Sequence, residues 1–270
     1  MLGKLVKNEF KATARSFVPV YLVMLAVTLV LKIFIEVMDF LNVPEGPVVV
    51  AINIFLTIAF VLAIVAVIFG TIVFIIKRYY DNMLKDEGYL SFTLPVTTGQ
   101  HIASKALTSY VWIIASMAVV VLSVVMLMLG ETSFFKEISE GINIGIKFLS
   151  DNGYWGYAVA VFAAIIIGIY VMIIETYACM SVGQLMNKHR VAGAVITYIV
   201  IYCIKQVCGM VFLTTIFWVP VSSETVEIEM AASQNISTSI LIFELVFLIV
   251  EAIAFTLITH IMMKRKLNLE

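Results

Sequence analysis

Four charged side chains stand inside otherwise apolar stretches: Glu175, Lys205, Glu244 and Glu251. A charge at the centre of a bilayer costs roughly 2.5–3.5 kcal/mol on insertion scales, so such residues turn toward neighbouring helices and take partners. Carboxylates and a lysine in that setting serve one of two ends. They form an ion pair that ties helices together, or they line a polar path across the membrane. Glu244 and Glu251 lie seven residues apart and share one helix face. Tyr198, Tyr202, Lys205 and Gly209 share a face of another helix and form a polar stripe around the lysine. Lys205 is at the midpoint of one apolar stretch and Glu251 at the midpoint of the next. A short connection makes those two stretches antiparallel neighbours, so Lys205 is expected to pair with Glu251. Glu175, nearer the end of its own stretch, is the second candidate.

Other chemistry finds no foothold. The chain has no GxxxxGK[ST] phosphate loop, no HExxH and no GxSxG. His101, His189 and His260 are scattered without clustered ligand partners. Cys179, Cys203 and Cys208 form no CxxC and lie in apolar runs, which suits small packing residues. No catalytic residue, metal or bound cofactor is expected on this chain, and no nucleic-acid partner.

The elements that must hold these charges follow from composition. Of 270 residues 62% are hydrophobic and 13% charged, with a mean hydropathy of +1.08. Soluble domains carry about 45–50% apolar and about 25% charged residues. Six stretches meet the demand of ~20 residues needed to cross the hydrocarbon core as a helix. They run approximately 17–38, 48–76, 106–129, 155–179, 191–219 and 239–263. The expected fold is an all-α integral membrane protein with six transmembrane helices.

Charge placement orients it. With the N-terminus in the cytoplasm, cytoplasmic segments hold thirteen of the seventeen Lys and Arg residues. The outer loops then hold only Lys136 and Lys147. That asymmetry, with an even number of spans, puts both termini inside. The first apolar run is too long for a cleavable signal and reads as an uncleaved span. Residues 1–16 set Leu2, Leu5, Val6, Phe10 and Ala14 against Lys4, Lys7, Lys11 and Arg15, the pattern of an interfacial elbow helix. The outer segment 131–153 repeats Phe135, Ile138, Ile142 and Leu149 at near-helical spacing and is expected to form a second interfacial helix, which Asn152-Gly153 would end. Ser109, Ser116 and Ser123 recur every seven residues in the third span, a seam for close packing. A short acidic outer loop, 220–238, precedes the sixth span, and 264–270 is a basic tail.

The longest cytoplasmic connection, 77–105, mixes Tyr79, Tyr80, Tyr89, Leu90, Phe92 and Leu94 with charges. Such an apolar load rimmed by charge suits a docking surface. Thr97 with Gln100 fits a capping box that starts the next helix. The run DEGYLSFTLPVTTGQHIASKAL, which begins in this connection, carries Glu87, Gly88, Tyr89, Leu90, Thr93, Leu94, Pro95, Ser104 and Lys105. This run resembles the loop before the third span in permease subunits of ABC-2 type exporters of Gram-positive bacteria. The resemblance implies a coupling loop that docks on a separate ABC ATPase subunit, with Asp86, Glu87, Gly88, Tyr89, Leu90, Phe92 and Pro95 as its core. It also implies a second permease copy or paralogue, a plasma-membrane location with lipid contacts, and ATP and Mg held by the partner. The short last outer loop departs from family members that carry re-entrant outer helices. The rival expectation is a stand-alone proton-coupled transporter that uses Glu175, Glu244 and Glu251. A non-transporting sensor or scaffold is a third, disfavoured by the lack of a soluble sensory domain.

Overall fold

The computed structural model describes residues 2–44, 46–85, 96–130, 133–186, 189–217 and 226–265. Among these nearly every residue is helical and no strand occurs. Its α-helices are α1 (Leu2–Phe40), α2 (Pro47–Tyr79), α3 (Thr98–Met128), α4 (Phe134–Asp151), α5 (Trp155–Gly183), α6 (Arg190–Phe217) and α7 (Val226–Arg265). A π-helical turn, Tyr80–Leu84, continues α2. Every one except α4 is long and apolar enough to cross a membrane. The chain is an all-α, multi-pass membrane protein.

Several boundaries differ from the sequence expectation for local reasons. Residues 2–16 are the first turns of the same unbroken helix as the first span. At 39 residues α1 is about 58 Å long, nearly twice the ~30 Å hydrocarbon thickness, so it tilts or projects beyond the core. α3 starts at Thr98, directly after Thr97 and eight residues before the apolar run proper. α7 starts at Val226, inside the expected outer loop.

The residues separate into two compact units. The first takes in the chain up to Tyr79 together with Gln100–Ile144. Its apolar centre is Met24, Leu31, Phe60 and Val67 from α1 and α2. Trp112 of α3 stacks on Phe17 at 4.5 Å and donates its indole N–H to Thr13 Oγ1 at 2.8 Å. The expected serine seam is buried at Ser109, Ser116 and Ser123. Ser116 Oγ lies 2.7 Å from both Tyr21 Oη and Thr71 Oγ1, so one hydroxyl joins three helices. Thr28, Thr71 and Ser123 each donate to the carbonyl four residues earlier, which satisfies them inside apolar helices. Lys32, the one charge in the first apolar run, pairs with Glu36 and donates to the Leu127 and Leu129 carbonyls at the end of α3. A cation at that end of a helix meets its partial negative charge.

The second unit comprises Tyr80–Gly99 and the chain from Gly145 onward. α5 is its hub and packs on both α6 and α7. Ile173, Ile174 and Tyr177 are fully buried there. Where α5 gives way to α6 the backbones nearly touch. A Cβ on Gly183 would stand 2.5 Å from the Ala194 nitrogen and 2.7 Å from the Arg190 carbonyl. Only glycine allows that approach.

Candidate functional site

Three of the four intramembrane charges are brought together as a triad within the second unit. Lys205 Nζ on α6 lies 3.1 Å from Glu175 Oε2 on α5 and 3.1 Å from Glu251 Oε1 on α7. The expected Lys205–Glu251 pair is present, and the second candidate joins it rather than competing. The reason is reach. Glu175 lies toward the C-terminal half of α5, and the flexible lysine stem spans to both neighbours at once. The two glutamates are buried, while the lysine side chain keeps 30% of its exposure. Glu251 Oε2 has no hydrogen-bond partner among the described residues. Nearby, Tyr170 Oη and Thr256 Oγ1 lie 3.1 Å apart and add a second polar tie between α5 and α7. Glu244 stays outside the triad: it is exposed and makes no ion pair with any described residue. Tyr198 and Tyr202, from the stripe around the lysine, are also exposed.

The expected ATPase-docking residues Asp86, Glu87, Gly88, Tyr89, Leu90, Phe92 and Pro95 lie outside the described residues. What flanks them is defined. Glu9 of α1 receives Lys105 of α3 on Oε1 at 2.7 Å and Arg78 of α2 on Oε2 at 3.2 Å. Arg78 Nε also donates to Oε2 at 3.2 Å, so the guanidinium grips one carboxylate oxygen with two N–H groups. Lys105 is only 5% exposed, an almost wholly enclosed cation whose counter-charge is Glu9. Burial pushes the Glu9 carboxyl up, but attraction and hydrogen bonds from Lys105 and then Arg78 more than offset it. The group titrates below the usual glutamate range. Ser104 donates to the His101 carbonyl at 2.9 Å, which fixes it within the first turns of α3. In the second unit, Thr98 Oγ1 at the start of α3 is 3.4 Å from His260 Nδ1 of α7.

The sequence reading did not anticipate the Glu9 cluster. Glu9 sits among four cations in the N-terminal segment, and nothing in its spacing points to residues 69 and 96 positions away. One signal was present: a lone acid on the apolar-flanking side of a basic segment. The histidines gather no metal-ligand set, and no group of three or more His, Cys, Asp or Glu side chains suited to a metal occurs among the described residues.

Among the described residues two ionic clusters each join three helices: Lys205 with Glu175 and Glu251, and Glu9 with Arg78 and Lys105. Comparison with protein-family models, curated proteins and solved structures returns no match to this chain.

Proposed function

We propose that this chain is the membrane-spanning subunit of an ATP-driven exporter, worked by a separate ATPase subunit. The observation that carries the reading is the Glu9 cluster. Arg78 at the end of α2 and Lys105 near the start of α3 bracket the middle of the connection, and both are fastened to one carboxylate on α1. A push delivered to the connection therefore reaches α1, α2 and α3 together instead of being absorbed by a slack loop. That is the mechanical requirement for a docking element, and the connection is also the stretch that resembles the coupling loop of ABC-2 permeases. The absence of any phosphate-binding sequence motif fits a division of labour in which nucleotide chemistry sits on another polypeptide. In this reading both termini and the connection face the cytoplasm, the membrane is the plasma membrane, and a second permease copy or paralogue completes the pathway.

The rival proton-coupled reading needs carboxylates free to exchange protons. Lys205 engages two of its three candidates, Glu175 and Glu251, which favours a structural role for them.

Capture of the tagged chain from its native membrane should bring down a P-loop ATPase whose hydrolysis the membrane subunit stimulates. Glu87→Lys and Tyr89→Ala should weaken both the association and the stimulated hydrolysis. Full assembly, hydrolysis and export in both variants would sink the proposal.

A further inference from the structure

The helix α4 has an apolar face that no described part of this chain covers. Plotted at 100° per residue, Phe134, Phe135, Ile138, Ile142, Ile146 and Leu149 fall within one third of its circumference. Lys136, Glu140, Asn143, Lys147 and Asp151 fill the opposite side. None of its eighteen residues is buried, and Phe135, Ile138, Ile142 and Ile146 are all exposed. Apart from the helix's own backbone and the adjoining residues, no described atom stands within 4 Å of where a side chain at Gly141 or Gly145 would begin.

We propose that α4 is a lipid-binding helix that lies in the headgroup region of the bilayer, at the level where α5 begins. Two observations choose lipid over other occupants, and a third says what drives the binding. The first is tethering. Residues 129–133 join α4 to α3, and residues 152–154 join it to α5. Extended chain reaches at most ~3.6 Å per residue, so the helix is held within about 18 Å of one span's end and about 11 Å of the other's. The bilayer surface is within reach of the apolar face whatever else binds.

The second is the neighbouring sequence. Trp155 and Tyr157 open α5 with exposed rings, and aromatic residues of that kind mark the headgroup level. Phe148 of α4 packs on Tyr154 at 5.7 Å, which sets the end of α4 at that level. The third is charge. The helix carries two lysines against Glu137, Glu140 and Asp151, a net charge of −1. Its binding is therefore driven by apolar insertion and not by attraction to anionic lipid, unlike the basic helices that read membrane charge. The polar face, with Lys136 and Glu140 paired along the helix at 3.9 Å, stays in water.

The inference does not depend on the exporter reading. The test is a nitroxide scan of residues 134–151 in the full chain. Single cysteines are introduced after Cys179→Ala, Cys203→Ser and Cys208→Ser, and the protein is reconstituted in phosphatidylcholine vesicles with or without phosphatidylglycerol. Oxygen, which partitions into lipid, should relax labels at positions 135, 138, 142 and 146 several times more strongly than a water-soluble nickel chelate does. Positions 136, 140, 143 and 147 should show the reverse, and the pattern should be the same in both lipid mixtures. Nickel access all round would place the helix in water and overturn the proposal. Apolar positions shielded from both reagents would overturn it too, since a protein would then cover the face. Insertion that requires phosphatidylglycerol would overturn the claim that apolar burial drives it.

Discussion

Removing the Lys205 ammonium should be the most damaging single change to the second unit. Lys205→Met leaves Glu175 and Glu251 facing each other in a buried setting, without the cation that lies 3.1 Å from each. Breaking a buried pair from one side costs about 3–5 kcal/mol. The lysine is 30% exposed, so the lower part of that range is expected, ~3 kcal/mol. Glu251→Gln or Glu175→Gln alone should cost less, about 1–2 kcal/mol. The lysine keeps one carboxylate, and the new amide oxygen still accepts a hydrogen bond. The three-body geometry then sets an order that a simple pair would not. Lys205→Met with Glu251→Gln still strands Glu175 and should recover only part of the loss. The triple variant, with Glu175→Gln added, removes every charge and should return close to wild type. Equilibrium unfolding in mixed detergent micelles gives the free energies, and a thermal shift assay gives the ranking. Losses that add within ~0.3–0.5 kcal/mol across the double and triple variants would mean that the three residues do not interact.

Two further outcomes follow from the same kind of reasoning. Glu9→Gln should lower stability at neutral pH by about 1–3 kcal/mol, because the enclosed Lys105 loses its counter-charge. Since the folded Glu9 carboxyl titrates below its ordinary range, its contribution is complete above that range and is lost as pH falls through the lowered value. Melting temperatures of wild type and Glu9→Gln should therefore differ at neutral pH and converge in acid, and a gap unchanged with pH would refute the ionic role. Gly183→Ala forces a methyl group against the backbone of α6 and should cost at least about 1–3 kcal/mol, read as a drop in melting temperature and folded yield. A silent substitution there would mean that the two helix ends do not approach as closely as described.

The six crossings were legible in the sequence because the requirement is one-dimensional. A helix in lipid satisfies its own backbone, so length and apolarity suffice to find it. Facing and depth carried the argument as far as Lys205 with Glu251, since both midpoints can be counted along the chain. They also marked the serine seam, whose seven-residue period is a local property of one helix. Which partners Ser116 takes, Tyr21 and Thr71, was not written in that period. The tertiary structure alone decided that Lys205 bridges two carboxylates, because reach across three helices depends on how α5, α6 and α7 pack. It alone joined Glu9 to Arg78 and Lys105, a tie between chain-distant residues that local spacing cannot encode. Helix termini moved for a related reason. Apolar runs report where lipid must be met, while helices end where backbone groups find other partners, so α3 and α7 extend beyond the runs that announced them.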